Sequence, residues 1–390
     1  MRRRRVFVTG LGAVSPAGVG CRAYSEAQFA GKSLVRALPP EHIDGLQAVA
    51  ARVGEDLPGD VPRYEAMGVL AAREAVAQSG LSALKLATTS ITTATAIGAT
   101  CELERVYRDG TAPSAEDLRF ESLERGLRRE LRADGRGLVM STGCTAGLDA
   151  LGSAFRAVRS GRDDIAVVCA SDATISPIVV AAFDKIGALT RRHGSPETAS
   201  RPFDAGRDGF ALGEGAACVV LESEESLVRR GGHGAFEIRG WASVSSALHM
   251  TALREDGSDI ARALIAALKD AGASPSEIDV IDSHGTSTPL NDASESAAIR
   301  TVCGEASAGV AITAQKGVNG HALGASNLLE IVGCGAMFQE SAAPPIANTT
   351  DPTVPLRLVL GSAEQRQVRT IVKLSSGFSG IHTAIVMSAA

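Results

Sequence analysis

Long apolar runs are missing from this 390-residue chain, and so is any excess of basic charge. No stretch reaches the roughly 18 uninterrupted apolar residues of a membrane span, so the sequence predicts no membrane association. The net charge of −5 and the isoelectric point near 5.9 offer no basic surface for nucleic-acid phosphates. The 45% of hydrophobic residues still suffices for a sizeable buried core.

Cysteine pairs with the spacing of a zinc or redox site are also missing. The seven cysteines are an odd number without a C-x-x-C motif or a cysteine–histidine cluster, so we expect free thiols and no metal centre. Cys169 and Cys218 lie inside apolar runs, which indicates small buried hydrophobic residues. Free thiols are typical of the reducing cytoplasm, where we expect the protein to reside.

The one run of like charge, from Arg2 to Arg5, precedes the apolar segment Val6–Gly12, as it would in a secretory signal. Glycines and the Ser15-Pro16 pair interrupt the apolar stretch. This pattern instead favours a first β-strand that ends in a glycine turn.

Strand-like and helix-like segments alternate along the chain. Predicted strands are Val6–Thr9, Thr92–Ile97, Ile165–Ala170, Ala217–Leu221, Phe236–Val244, Ile278–Ile281, Val310–Thr313, Arg357–Val359, Ile371–Leu374 and Ala384–Met387. Predicted helices are Tyr64–Ser79, Glu116–Leu131, Thr145–Ser160, Ile260–Ala271, Ala293–Val302 and Ala322–Gln339. The alternation predicts a layered α/β fold with helices packed against sheets.

Two short patterns occur twice. Gly143–Gly147 and Gly320–Gly324 both read G-[C/H]-x-x-G at the start of an apolar helix, and two further helices both close on a glycine, at Gly80 and Gly272. The repetition predicts two similar halves, residues 1–230 and 231–390, with a cysteine and a histidine on matching helix N-termini. Chance similarity of five-residue patterns is the alternative.

Cys144 is the candidate nucleophile. A polar, glycine-flanked stretch leads from it into the apolar helix Leu148–Val158. A thiol at a helix N-terminus lies near the positive end of the helix dipole and near free backbone N–H groups, which favour the thiolate and can bind an oxyanion. The alternative is another buried thiol.

His284 follows the predicted strand Ile278–Ile281, and loops that leave strand ends commonly build active sites. Thr286 and Thr288, alternate residues of an extended segment, offer two hydroxyls to a polar ligand. A turn histidine bonded to the backbone is the competing interpretation.

His321 begins the predicted helix of its motif, with Lys316 upstream and Glu330 downstream. The helix dipole and a nearby ammonium would keep its imidazole neutral and able to donate an N–H to an enolate. Lys316 and Glu330 are equally consistent with a structural ion pair. The glycine-rich turn at Gly377–Gly380 allows close backbone approach to a substrate and suggests a second oxyanion donor.

Together these segments resemble the β-ketoacyl synthases of the thiolase superfamily over nearly the whole chain. Three motifs stand in the family's order: the cysteine elbow at Cys144, H-G-T-x-T at His284 and K-x-x-x-G-H-x-x-G-A at Lys316. The resemblance implies an α/β thiolase fold of two similar halves in αβαβα layers. Residues 142–149 are most similar to the catalytic alpha subunits of type II polyketide synthases, whereas residues 284–292 are closer to fatty-acid elongation synthases. This mixture is similar to highly reducing type II systems that make polyenes.

The resemblance implies a decarboxylative condensation. Cys144 would accept an acyl chain from the phosphopantetheine of an acyl carrier protein, and malonyl carrier protein would follow, with no further cofactor. His284 and His321 would stabilise the enolate, and Lys316 and Glu330 would order His321 and its surroundings.

The same resemblance assigns the remaining site residues. The backbone N–H groups of Cys144 and Phe378 would form the oxyanion hole, and Phe378 would gate acyl entry. Thr251, Thr286, Thr288 and Ser379 would line the path of the pantetheine or malonyl group. Ser379 stands where the family's gating turn normally carries glycine.

The implied partners are an acyl carrier protein and a second subunit, either another copy or a chain-length-factor-like chain. A noncatalytic chain-length factor would share the fold but normally lacks the nucleophile, and a degradative thiolase needs a second active cysteine, yet none follows Cys334. An initiating synthase would carry a Cys-His-Asn set of catalytic residues, whereas the motifs here supply two histidines. Fatty-acid elongation and a noncatalytic partner subunit are the alternative functions.

Overall fold

The computed structural model describes residues 3–54, 57–58, 61–110 and 118–390. Its strands are β1 (Val6–Ser15), β2 (Gly18–Val19), β3 (Arg36–Ala37), β4 (Val49–Ala51), β5 (Ser90–Ala94), β6 (Gly137–Met140), β7 (Ile165–Asp172), β8 (Leu212–Gly213), β9 (Gly215–Ser223), β10 (Phe236–Ser245), β11 (Val280–Asp282), β12 (Ala311–Thr313), β13 (Ala342–Ala343), β14 (Glu364–Gln365), β15 (Thr370–Ser376) and β16 (Ile381–Ala389). Its α-helices are α1 (Cys21–Ala30), α2 (Arg63–Ser79), α3 (Ala83–Ala87), α4 (Thr100–Asp109), α5 (Ser122–Leu131), α6 (Ala146–Arg159), α7 (Pro177–Lys185), α8 (Glu224–Arg229), α9 (Ser258–Ala271), α10 (Pro289–Cys303), α11 (Lys316–Asn319) and α12 (Ser326–Glu340).

The main sheet repeats one pattern in its two halves. Outward from the central pair β1 and β10, the first half runs β1-β9-β7-β5-β6 and the second runs β10-β16-β15-β11-β12. In each half the first two pairings are antiparallel and the next two are parallel. β1 and β10 pair over Val6–Val8 and join the halves.

The helices form the layers on the sheet faces. α2 and α5 pack on the first half and α9 packs on the second, while α6 and α12 contact each other and strands of the sheet. α12 is buried from Ser326 to Cys334, so it lies in the interior. This stacking corresponds to the predicted αβαβα layers.

Small residues bring the two central helices together where the halves meet. A Cβ on Gly147 would lie only 2.7 Å from the Gly324 carbonyl oxygen and 3.0 Å from Asn327 Oδ1. Glycine therefore permits a backbone approach that a side chain would block. The turn before α6 thereby contacts the turn before α12.

The repeated motif was misaligned by the sequence prediction. The 3-10 turn Gly143–Thr145 leads into α6, and its structural counterpart before α12 is Leu323–Ala325. Cys144 therefore corresponds in position to Gly324. His321 precedes the turn Leu323–Ala325 and forms a single parallel β-bridge with Leu212. The two residues are not at matching helix N-termini because α12 begins at Ser326, not at Ala322.

Most predicted helices and strands are confirmed, but one predicted strand is absent. Arg357–Val359 is not a strand: it forms a single bridge, between Leu358 and Ile312, because the Leu358 N–H donates to the Leu356 carbonyl and breaks the ladder. The predicted helix from Glu116 begins at Ser122 in the described residues, and its first two positions lie outside them. The edge strand β6 and helices α1, α4 and α7 were not predicted.

In the described ranges, the structure has no helix long and apolar enough to cross a membrane. All seven cysteines are free. The proposed division of the chain at residues 230 and 231 stays a prediction.

Candidate active site

One narrow pocket of about 30 Å³ gathers residues from both halves. Its lining consists of Cys144, Phe210, Leu253, His284, Thr286, Thr288, Asn291, His321, Ser376, Gly377 and Phe378. The three residues proposed to carry the chemistry, Cys144, His284 and His321, thus share one small cavity although they are far apart in sequence.

Cys144 lies in the turn that precedes α6, and only 8% of its surface is exposed. Gly143 has a φ of +66°, a left-handed conformation that glycine adopts at little cost and that directs the chain into the helix. The Cys144 carbonyl accepts a 2.6 Å hydrogen bond from the Asn327 amide, which ties the nucleophile's turn to α12.

The thiol of Cys144 is held in a mixed environment. Burial raises its pKa to about 11, against the lowering effect of the Lys316 ammonium and of the backbone N–H groups of Phe378 and Cys144. The backbone N–H groups lower the pKa of the thiol as predicted, but the larger effect of desolvation raises it overall. The oxyanion hole assigned to these two N–H groups stays a prediction.

His284 is fixed from three directions. Its backbone N–H donates to Glu295 Oε1 over 2.5 Å, and its carbonyl accepts from Lys316 Nζ over 2.7 Å. The same Nζ lies 3.3 Å from Nδ1 of the ring. Because an ammonium only donates, Nδ1 accepts and the proton of the neutral ring is on Nε2. Burial, then Lys316 and His321, lower the pKa of His284 well below its usual value.

His321 meets His284 edge to face, with ring centroids 5.5 Å apart and an interplanar angle of 84°. Its other neighbour is the Phe210 ring, at 5.1 Å. Nδ1 lies 2.9 Å from Ser326 Oγ. Burial, followed by Lys316 and Lys373, lowers the pKa of His321 well below its usual value. The ring is neutral as predicted, but burial is the main cause.

Behind the histidines lies a buried charged cluster. Glu330 bridges two lysines: Oε1 is 2.6 Å from Lys316 Nζ and Oε2 is 2.7 Å from Lys373 Nζ. Lys373 Nζ is also 3.3 Å from Asp282 Oδ2. The predicted contact between Lys316 and Glu330 is present, as part of a larger network. Lys316 contacts His284 directly. The ordering role predicted for Lys316 and Glu330 stays a prediction.

The turn Gly377–Gly380 carries Phe378 to the pocket. Ser379 has a φ of +79°, which a non-glycine residue rarely adopts, and its N–H donates to the Met250 carbonyl over 2.5 Å. This conformation explains why glycine suits the position. Ser379 is not part of the pocket lining.

The predicted threonines separate into two groups. Thr286 and Thr288 line the pocket, with their hydroxyls 2.8 Å apart. Thr251 is outside the lining, and its N–H bonds Nδ1 of His249 over 3.1 Å. Leu253, two residues further on, lines the pocket in its place.

Several site residues escaped the sequence analysis. Phe210 and Asn327 are ordinary residues in the sequence, and only their tertiary contacts with His321 and Cys144 give them a place in the site. Lys373 left a signal, since a lysine within the apolar strand Ile371–Leu374 requires a buried partner. Asp282, directly after the predicted strand Ile278–Ile281, is that partner.

Comparison with known proteins shows that this chain matches two families of protein domains. Residues 58–226 match the β-ketoacyl synthase N-terminal domain, and residues 235–350 match the β-ketoacyl synthase C-terminal domain. The ketoacyl synthase alpha subunit of the tetracenomycin polyketide synthase from Streptomyces glaucescens is 36% identical, over 99% of this chain and 97% of the relative.

Solved structures agree with this likeness. A type II polyketide synthase acyl carrier protein in complex with its ketosynthase bound to the hexaketide matches with a TM-score of 0.91 and 35% identity, and covers both chains completely. The ishigamide ketosynthase/chain length factor matches with a TM-score of 0.90 and 33% identity, also over both full chains. The predicted α/β thiolase fold is thereby confirmed.

Proposed function

This chain belongs to the β-ketoacyl synthase family, and from that premise we propose that it is the condensing subunit of a type II polyketide synthase. It joins an acyl chain held on Cys144 to the enolate of malonyl-acyl carrier protein. The shared pocket of Cys144, His284 and His321 is the observation that supports this function most directly. The reaction extends a polyketide chain. The combination of motifs at residues 142–149 and 284–292 favours a highly reduced polyene as the type of chain.

Acyl loading is the first half of the reaction. The Cys144 sulfur forms a bond to the acyl carbonyl carbon, the bond to the pantetheine sulfur breaks, and the thiol proton leaves with the released pantetheine thiol. The N–H groups of Cys144 and Phe378 stabilise the oxyanion of the tetrahedral intermediate. A thiol with a pKa near 11 is protonated at rest, so attack is coupled to loss of this proton.

Decarboxylation forms the second nucleophile. The carbon–carbon bond to the malonyl carboxylate breaks, CO₂ leaves, and the electron pair moves into the thioester as an enolate. The Nε2 protons of His284 and His321 stabilise the enolate oxygen. The enolate carbon then attacks the acyl-cysteine, the carbon–sulfur bond to Cys144 breaks, and the released thiolate takes up one proton from solution.

Entry to this pocket requires movement. At about 30 Å³ the pocket is too narrow to accept an acyl chain without displacement of its walls. Phe378, in a turn with a left-handed residue beside it, is the proposed gate. Thr286 and Thr288 offer hydroxyls to the pantetheine or malonyl group, whereas Thr251 and Ser379 would reach that path only from outside the lining.

The partners follow from the relatives. Solved structures of similar proteins hold a ketosynthase with an acyl carrier protein, and a ketosynthase with a chain length factor. We therefore propose a carrier protein that presents phosphopantetheine-bound substrates, and pairing with a chain-length-factor-like subunit in preference to a second copy. The expected location is the cytoplasm.

The test follows acyl transfer to the cysteine. Intact-protein mass spectrometry after incubation with acyl-acyl carrier protein should show one added acyl group in the native protein and none in Cys144→Ala. Cys303→Ala, which removes another buried thiol away from the pocket, should load normally. Unchanged loading in Cys144→Ala would refute the assignment.

Fatty-acid elongation is the second candidate, favoured by the likeness of residues 284–292 to elongation synthases. The two functions differ in what the protein extends. Carrier proteins charged with saturated chains and with unreduced or polyunsaturated chains of stepped length should be compared as substrates. Preference for saturated chains alone would favour elongation.

A further inference from the structure

Lys373 is a buried lysine to which the proposed chemistry assigns no part. It lies in the middle of β15, and none of its surface is exposed. The register pairs it with Asp282 on the parallel strand β11, whose end leads directly to His284. A charge this deep in a sheet is maintained only when it is paired and hydrogen-bonded.

Lys373 is connected to Lys316 and His284 through one shared carboxylate, that of Glu330. Its Nζ is 2.7 Å from Glu330 Oε2, while the other oxygen of Glu330 is 2.6 Å from Lys316 Nζ. Lys316 in turn contacts the ring and carbonyl of His284. The orientation of Glu330, and with it that of Lys316, therefore depends on both lysines.

A second path runs through the backbone. Lys373 Nζ donates to the Ser283 carbonyl over 2.8 Å, and Lys316 Nζ donates to the next carbonyl, that of His284, over 2.7 Å. Two consecutive carbonyls are thus held by two different ammonium groups. Between them they fix the peptide from which the His284 ring projects.

The cluster is balanced in charge. Lys316 and Lys373 face Glu330 and Asp282, and the Cys334 thiol lies 3.8 Å from Asp282 Oδ2. Burial by itself lowers the pKa of Lys373, but Asp282 and Glu330 together raise it above its usual value, so Lys373 is charged.

Around His284, the Glu295 carboxylate accepts from the backbone N–H, while the Lys316 ammonium contacts the ring and the carbonyl. Lys316, His321, Lys373 and His382 all lower the pKa of His284, in addition to the larger effect of burial. Loss of the Lys373 charge therefore makes the ring easier to protonate.

We infer that Lys373 is a positioning residue for the decarboxylation step, holding Glu330 and the Ser283 carbonyl so that Lys316 and His284 keep their alignment. This inference rests on the proposed function. It concerns only the enolate-forming half of the reaction, because the hydrogen bonds and ion pairs of Lys373 go to Asp282, Ser283 and Glu330, not to Cys144 or the turn that carries Phe378.

The test uses Lys373→Met and the double variant Lys373→Met/Asp282→Asn. The single variant leaves Asp282 without its cation. The double variant removes one charge of each sign, so it is expected to fold. In the double variant, kcat for malonyl-acyl carrier protein decarboxylation should fall roughly 10- to 100-fold, because misalignment of a catalytic group costs this much. KM should change less than about twofold, and acyl loading of Cys144 should be retained.

The pH profile separates positioning from a loss of stability. Without the Lys373 charge the pKa values of His284 and His321 rise. The neutral rings are then lost at a higher pH as the solution is acidified, so the acid limb of the decarboxylation rate profile shifts to higher pH. Arg230→Met is the matched control, since it also strips a buried carboxylate, Glu222, of its cation but lies outside the pocket. It should lower stability and leave the profile unchanged.

A folded double variant with native kcat and an unmoved acid limb would overturn the inference. Equal loss of acyl loading and decarboxylation would also overturn it, because the effect would then be general. NMR titration of the histidine ring protons, assigned with His284→Asn and His321→Asn, gives a readout without turnover. If the native protein loads no acyl group, the proposed function fails, and the titration still decides whether Lys373 controls the two rings.

Discussion

The hydrogen bond between Ser326 and His321 allows a quantitative test of how the enolate is stabilised. Ser326 is the first residue of α12, it is buried, and its Oγ lies 2.9 Å from Nδ1 of His321. In the proposed role Nε2 of His321 carries the proton, so Nδ1 accepts from the serine hydroxyl. Ser326→Ala removes this donor and lets the unproductive tautomer form.

The expected magnitude follows from one hydrogen bond. A net contribution of about 1 kcal/mol to the productive orientation corresponds to a decarboxylation rate about fivefold lower. Alanine suits the first turn of a helix, so the fold should be retained. Acyl loading should change little, since the bond does not involve Cys144.

The assay is the rate of CO₂ release from malonyl-acyl carrier protein, measured in a double-mutant cycle. In a His321→Ala background the serine substitution should have no further effect, because its only proposed role is through that ring. Ser223→Ala is a control, since it removes a buried serine that caps α8 away from the pocket. An unchanged rate in Ser326→Ala, or an equal loss in both backgrounds, would refute the argument.

Two further predictions concern the pocket itself. Because burial raises the pKa of Cys144 to about 11, the thiolate fraction rises with pH throughout the neutral range. Alkylation of Cys144 by iodoacetamide should therefore accelerate about tenfold per pH unit from pH 7 to 10. Peptide mass spectrometry measures this rate, and a plateau below pH 9 would contradict the prediction. Phe210→Ala removes a buried ring that packs against His321 and Phe183. Urea unfolding should therefore show a free energy of unfolding lower by about 3–4 kcal/mol, with an unchanged dependence on urea concentration. A decrease below about 1 kcal/mol would be inconsistent with that packing.

Local patterns explain why so much of the fold was predictable. The long strands β7, β9 and β16 each contain an apolar run, and α2 and α9 are both followed by a glycine in the left-handed conformation. These signals depend on neighbours in sequence. β6 was missed because four residues that begin with glycine carry almost no such signal.

The errors occurred where a pattern lacked its tertiary context. The motif around His321 looks like a helix start, but the chain first bridges to Leu212 and the helix begins five residues later, at Ser326. The segment at Arg357–Val359 has the composition of a strand, yet a local turn interrupts its pairing. Local composition does not reveal which partner a backbone N–H finds.

By itself, the sequence determined the chemical groups of the site: one thiol, two imidazoles and a lysine–glutamate pair within motifs of recognisable spacing. Only the tertiary structure decided how those groups behave. It raised the pKa of Cys144, excluded Thr251 from the pocket, and joined Lys373 and Asp282 to Glu330. The physical reason is that desolvation and charge–charge interaction depend on burial and on distances through space between residues far apart along the chain.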